Sequence, residues 1–118
     1  MEHTGLQEPI VVTDSVLEES SFSGVAMPKV RFEDARMSSA RIDHVDMADA
    51  IFSRVKLARA RFTNVDLSGA HVENTTLANG TIQNVSLAGV AINDCDIDGL
   101  RIDGYLVSDL IAAYRKSV

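Results

Sequence analysis

At 118 residues and 12.8 kDa, with a net charge of −6 and a pI near 4.9, the chain is long enough for one hydrophobic core and too short for two. Apolar residues make up 46% of it but aromatics only 5%, and Trp is absent, so the interior must be filled by aliphatic side chains rather than large rings. The acidity argues against general nucleic-acid binding, which needs clustered Lys and Arg, and a lone Cys95 excludes an intramolecular disulfide framework.

Residues 1–19 come first and contain Ile10, Val11, Val12 and Leu17, without the positive n-region and apolar stretch of a secretory leader. No apolar run in the chain approaches the roughly 20 residues of a membrane helix. A single unpaired thiol suits a reducing compartment. A cytoplasmic protein that does not engage a membrane is therefore expected. Val12 and Leu17 are five residues apart, and the segment is expected to form an N-terminal cap or a degenerate first coil of the repeat that follows.

Residues 20–107 are organised by a period of five. Starting at Phe22, every fifth residue is large and apolar: Phe22, Met27, Phe32, Met37, Ile42, Met47, Phe52, Leu57, Phe62, Leu67 and onward to Ile97, Ile102 and Val107. Two residues earlier in each unit runs a smaller series that includes Val25, Ala35, Val45, Ala60, Val65, Val85 and Cys95. The residue between the two series is mostly polar, so each unit reads inward, outward, inward, which is local strand alternation.

A five-residue period persists in no regular element, because five helical steps advance about 140° and five strand steps swap faces. The chain must turn a corner instead. Gly24, Gly69, Gly89, Gly99 and Gly104, with Asn64, Asn74, Asn79, Asn84, Asp34, Asp49 and Asp94, all occupy the fifth position, where tight-turn backbone angles are required. Four units per coil give a period of 20 that stacks Val25, Val45, Val65 and Val85 in one column. Three units would instead stack Val25 on Ala40 on Val55 on Ala70, so like-on-like volume favours four sides, with a ten-residue alternation contributing to the same pattern.

These units resemble the pentapeptide-repeat family, whose motif is a small residue, then Asp or Asn, then Leu or Phe, then two variable residues. Val65-Asp66-Leu67-Ser68-Gly69 and Cys95-Asp96-Ile97-Asp98-Gly99 match it most closely. The resemblance implies an all-β fold, a right-handed quadrilateral parallel β-helix, with a short C-terminal helix read from the residues beyond it. The chain departs from the motif in two respects: the middle position is often Arg, Lys, Thr or Ser, and Val is common at the small position.

Leu100 and Tyr105 put large side chains at the small position, so the interior is expected to close there. Residues 108–118 read as a capping helix, with Ser108 as N-cap, Asp109 in the first turn and Arg115 and Lys116 in the last. Leu110, Ile111 and Tyr114 form an apolar stripe, and Leu106, Ala113 and Val118 add surface beyond what one cap covers. In the resembling family the C-terminal helix often joins two copies, so a homodimer through Leu106, Leu110, Ile111, Ala113 and Tyr114 is expected.

His3, His44 and His71 fall in the tail and on different sides of the square, Cys95 lies in the inward series, and no Ser, His and acid converge. No catalytic group, metal or cofactor is expected. The polar residues form columns on the period of 20: Arg41 with Arg61, Arg36 with Lys56, and Asp46 with Asp66. Residues 29–61 carry eight bases against five acids, whereas 62–100 carry five acids and no base, so the rod is polarised along its axis. A solvated polar surface accounts for such columns. So does a docking surface on a non-enzymatic interaction protein whose partner the sequence does not name. The resemblance offers an alternative, a mimic of duplex DNA that binds a type II topoisomerase such as DNA gyrase; Arg41, Arg61 and Arg101 interrupt the acidic surface that such mimicry needs.

Overall fold

The structure is a computed structural model and describes residues 10–116. Residues 1–9 and Val118, which enter the expected N-terminal cap and dimer surface, lie outside the described residues.

The backbone at the fifth position of the repeat is left-handed in every unit from Asp14 to Gly99, with φ between +50° and +73°. Gly, Asn and Asp adopt this conformation readily. The corner is nevertheless also made at Glu19, Lys29, Ser39, His44, Arg54 and Arg59, where a longer side chain or an ordinary β-carbon costs on the order of 1 kcal/mol. The period, and not the residue type, sets the turn.

Three-residue strands alternate with single-residue bridges. The strands are β1 (Val11–Thr13), β2 (Ser21–Ser23), β3 (Arg31–Glu33), β4 (Arg41–Asp43), β5 (Ile51–Ser53), β6 (Arg61–Thr63), β7 (His71–Glu73), β8 (Thr81–Gln83) and β9 (Ala91–Asn93), followed by the short β10 (Arg101–Ile102) and β11 (Tyr105–Leu106). The first, third, fifth, seventh and ninth strands pair in parallel as face I. The even strands, with β11 added at the end, form face III in the order β11-β10-β8-β6-β4-β2. Between them, Val16, Arg36, Lys56, Thr76 and Asp96 bridge in register as face II, and Ala26, Asp46, Asp66 and Ser86 as face IV. Every parallel pairing joins residues 20 apart, as Arg41 with Arg61 and Asp46 with Asp66. The coil has four sides.

The two kinds of corner explain the ten-residue alternation in the sequence. After faces II and IV the chain closes a β-turn, as where the Ala40 N–H donates to the Met37 carbonyl at 3.1 Å around Ser39. After faces I and III there is no such closing bond, and the corner N–H donates to the next coil, as Asp34 does to Ser53 at 3.1 Å.

Inside, the large series lines all four faces. Phe32, Met37, Ile42, Met47, Phe52 and Leu57 are each at most 1% exposed. Phe32 and Phe52, one above the other on face I, stack at 5.2 Å with 16° between rings, while Phe22 and Phe62 meet them edge-on from face III. Four Phe rings thus cross the width of a coil otherwise filled by aliphatic side chains. The small series sits beside the corners, where a wide side chain would strike the coil's own backbone. At Gly80 even a β-carbon would lie 3.2 and 3.3 Å from the Leu77 and Ala60 carbonyl oxygens and 3.4 Å from Leu100 Cδ1. Leu100, fully buried, fills that space, but the interior does not close there as expected, since Leu100 itself lines an apolar cleft at the end of the stack.

Tyr105 does not follow. Asp103 and Gly104 both take positive φ, +50° and +86°, and reverse the chain so that β11 pairs antiparallel with β10, Arg101 opposite Leu106. The register is thereby broken: Tyr105 points outward, 66% exposed, and Val107 opens α1 (Val107–Lys116) instead of lining another coil. The helix begins one residue before the expected N-cap Ser108, which lies inside the first turn.

Leu67 is inward and Asp66 outward, so Leu67→Ala should cost about 2–5 kcal/mol in urea melts as a core truncation. Asp66→Ala should cost a small fraction of that. Equal losses would overturn the register.

Candidate surface columns and the C-terminal end

The outward residue of each unit has a different task on the two kinds of face. On faces II and IV it precedes a β-turn, and a carboxylate there accepts the N–H two residues on: Asp46 from Ala48 at 3.1 Å, Asp66 from Ser68 at 2.9 Å, Asp96 from Asp98 at 3.0 Å. The Ser68 hydroxyl also donates to Asp66 at 2.6 Å, and this bond, with the backbone N–H, lowers the Asp66 pKa from its ordinary value. Faces I and III have no turn to cap. There the same position holds Arg31, Arg41, Ile51, Arg61, His71, Thr81, Ala91 and Arg101, and no Asp occurs among them, whereas faces II and IV mix Asp46, Asp66 and Asp96 with Arg36, Lys56, Thr76 and Ser86. The Asp46–Asp66 column thus doubles as a row of turn caps.

Face III carries an arginine column. Arg41 and Arg61 are direct cross-strand neighbours, both exposed, and among the described residues neither has a carboxylate within ion-pair distance. Thr81 follows, then Arg101, whose Nη1 donates to the Gly104 carbonyl at 3.0 Å. On face II, Arg36 bridges to Lys56 and reaches Glu18 at 4.0 Å.

The corners hold a pair that the sequence reading missed. Arg54 sits one coil from Asp34 and donates to both of its carboxylate oxygens, Nε to Oδ1 at 2.8 Å and Nη2 to Oδ2 at 3.1 Å. The Arg54 guanidinium holds the Asp34 carboxyl below the ordinary carboxylate value, and Asp34 raises Arg54 in return. Opposite charges 20 residues apart at the fifth position were the available signal. Arg59 in the same way donates from Nε to the Ser39 hydroxyl at 3.3 Å.

The other chemistry-bearing residues lie apart. His3 is outside the described residues, His44 sits at a corner with Nδ1 2.9 Å from Asp43, and His71 faces outward on face I. Among the described residues no group of three His, Cys, Asp or Glu is placed to hold a metal, and no helix is long and apolar enough to cross a membrane. Cys95 is half-buried, not buried as expected, because it stands near the open end of the stack. Its thiol donates to the Asn93 carbonyl at 3.2 Å, and burial pushes its pKa up, which keeps it protonated.

At that end α1 buries none of its residues. Ile92, Ile97, Leu100, Ile102 and Val107 line a cleft of about 310 Å³, touched from the helix by Ile111. Ile92, Leu110 and Ile111 remain 39%, 48% and 38% exposed. Tyr114 and Ala113 are exposed too, and Leu106 is half-buried.

A period of five held through four-sided coils is matched by the family model described as pentapeptide repeats, in eight copies over residues 15–54 and 56–94. The chain belongs to the pentapeptide-repeat family. Solved pentapeptide-repeat structures similar to it include a protein of the Arabidopsis thaliana thylakoid lumen, 20% identical over 86% of this chain and 75% of that one, at a TM-score of 0.49. Another is Rfr23 of the cyanobacterium Cyanothece 51142, 14% identical over 79% and 87%, also at 0.49. A third similar structure is a trypsin-treated variant of QnrB1, a plasmid-mediated fluoroquinolone resistance protein, 12% identical over 93% and 97% at 0.37. No curated protein matches this pentapeptide-repeat chain by sequence.

Because the Asp34 carboxyl titrates below its ordinary value when folded, its contribution is present above the ordinary carboxylate range and lost as pH falls through the lowered value. Asp34→Asn should therefore flatten the fall in melting temperature below about pH 4. Added salt should shrink the difference, since both groups are exposed. Identical acid limbs for the two proteins would remove the pair from the stability balance.

Proposed function

We propose that this pentapeptide-repeat protein is a non-enzymatic binding scaffold of the cytoplasm. Its rigid faces and C-terminal end dock other proteins, one of them a second copy of itself. The observation that carries the reading is the uncovered end: a ten-residue helix with no buried residue beside an apolar cleft of about 310 Å³. Apolar side chains left without a neighbour coil gain stability from any partner that covers them, and a two-fold contact needs only one self-complementary patch. Leu106, Leu110, Ile111, Ala113 and Tyr114 supply that patch in the proposed dimer. Outward side chains held in register on four faces support docking elsewhere along the rod, and catalysis would require convergent groups that the columns hold apart.

Sedimentation equilibrium at tens of micromolar protein should give twice the 12.8 kDa chain mass, with Ile111→Asp shifting the population toward monomer. A mass of 12.8 kDa throughout would reject the dimer.

A topoisomerase-directed DNA mimic would need acids at regular spacing, and the arginine column on face III places bases there instead. Micromolar protein should accordingly leave gyrase supercoiling unchanged; inhibition or protection would move the reading to that alternative.

A further inference from the structure

The arginine column of face III lies among clefts rather than on a flat wall. One, of about 320 Å³, is lined by Arg61, Thr63, Thr81, Gln83 and Arg101, with Ile82 and Gly104 beside them. A second, of about 290 Å³, lies between Arg41 and Arg61 against Thr63 and Asp43, and a third, of about 220 Å³, is enclosed by Ser39, Arg41, Arg59 and Arg61. Arg61 lines all three. The polar side chains that line them are guanidinium, hydroxyl and amide groups with one carboxylate, Asp43, which lies 2.9 Å from His44 Nδ1.

The column is unpaired, although the Asp43 carboxylate lines the cleft between Arg41 and Arg61. Arg41 and Arg61 are cross-strand neighbours of like charge, an arrangement that destabilises a sheet, and among the described residues Arg41, Arg59, Arg61 and Arg101 lie in no ion pair. Elsewhere the protein does pair its arginines, as Arg54 with Asp34 and Arg31 with Glu33. Thr81, short and only partly exposed, drops the surface between Arg61 and Arg101 and leaves a notch flanked by the planar fork of Arg61, suited to bidentate carboxylate recognition, and by Arg101, whose Nη1 is hydrogen-bonded to the Gly104 carbonyl and whose other N–H groups remain.

We propose that face III is a docking strip for an acidic segment of a partner protein, its carboxylates seated between Arg41 and Arg61 and in the Arg61–Thr81–Arg101 notch. The proposal rests on the scaffold reading and names its face and its partner chemistry. Spacing supports it. Coils are about 4.8 Å apart, so Arg41 to Arg101 spans about 14 Å, and an extended peptide places acids at i and i+4 about 13 Å apart on one side. Charge favours a short acidic peptide over a nucleic acid. The chain carries −6 overall, and although face II on one side presents Arg36 and Lys56, face IV on the other presents Asp46 and Asp66, so a long polyanion wrapping toward face IV meets repulsion that a strip-sized peptide avoids.

The test is fluorescence anisotropy of a fluorescein-labelled nonapeptide alternating Glu and Ser, titrated with the full chain. Binding should saturate at about 50 mM salt and weaken about tenfold or more at about 200 mM. The double variant R61Q/R101Q, exposed at both positions, should lose about tenfold in affinity, while R36Q/K56Q on face II should lose little. No saturable binding, or equal losses from the two double variants, overturns the proposal. Tighter binding of a single-stranded oligonucleotide with the same number of charges assigns the strip to phosphates and overturns it as well. The sedimentation measurement reads the other end of the molecule, so a dimer that binds no acidic peptide sinks this inference and leaves the scaffold reading intact.

Discussion

The constraint on which the molecule depends is that the chain must turn a corner at every fifth residue while keeping its backbone hydrogen-bonded to the coils on either side. A left-handed residue at each corner does both, since it swings the chain to the next face and aims its N–H at the neighbouring coil, as Ser39 does toward Ala58 at 2.8 Å. Buried backbone groups demand partners, and apart from the β-turn bonds after faces II and IV the neighbouring coils supply them. The strain at Lys29, Arg54 and Arg59 persists because those intercoil bonds and the packed interior over-determine the corner.

Two consequences spread from the corner. Inward, it fixes the small series, because the residue that follows it sits against the coil's own carbonyls, the crowding that reaches its limit at Gly80. Outward, it divides the polar positions into those that precede a β-turn and those that do not. Asp46, Asp66 and Asp96 are drawn to the first kind by an N–H within reach. The second kind has no turn N–H to cap, and the arginines of face III stand there. Local turn chemistry therefore accounts for the three Asp positions on faces II and IV, and not for Arg36 and Lys56 on face II or for the arginines of face III.

The register, the direction of each large side chain and the number of sides were legible in the sequence because each follows from volume and period: Phe32 cannot point outward while Ala35 points in, and the Val25, Val45, Val65, Val85 column exists only at a period of 20. What resisted reading depends on more than one residue. Long side chains at left-handed corners carry no compositional mark, so Arg54 looked like an ordinary surface base until its partner one coil away, Asp34, was in place. The Asp103–Gly104 reversal hides within a repeat that already puts Gly at the corner, and only the preceding Asp with positive φ separates a hairpin from another turn. Of the candidate positions, the columns on faces II, III and IV were visible as repeats, but the clefts between Arg61 and Arg101 arise from the shortness of Thr81 and needed the surface itself.

The reversal at Asp103 and Gly104 also governs how the rod relates to others of its kind. A parallel solenoid carries a hazard that compact folds avoid: its last coil is a template for its first, and copies could stack end to end into a filament. Here the outermost strand of face III, β11, runs against the direction of every other strand in that sheet and is only two residues long. An incoming coil would find the wrong polarity on that side and α1 projecting beside it. On face III the change of chain direction disfavours coil-on-coil growth, because parallel pairing there would need a strand of the opposite polarity.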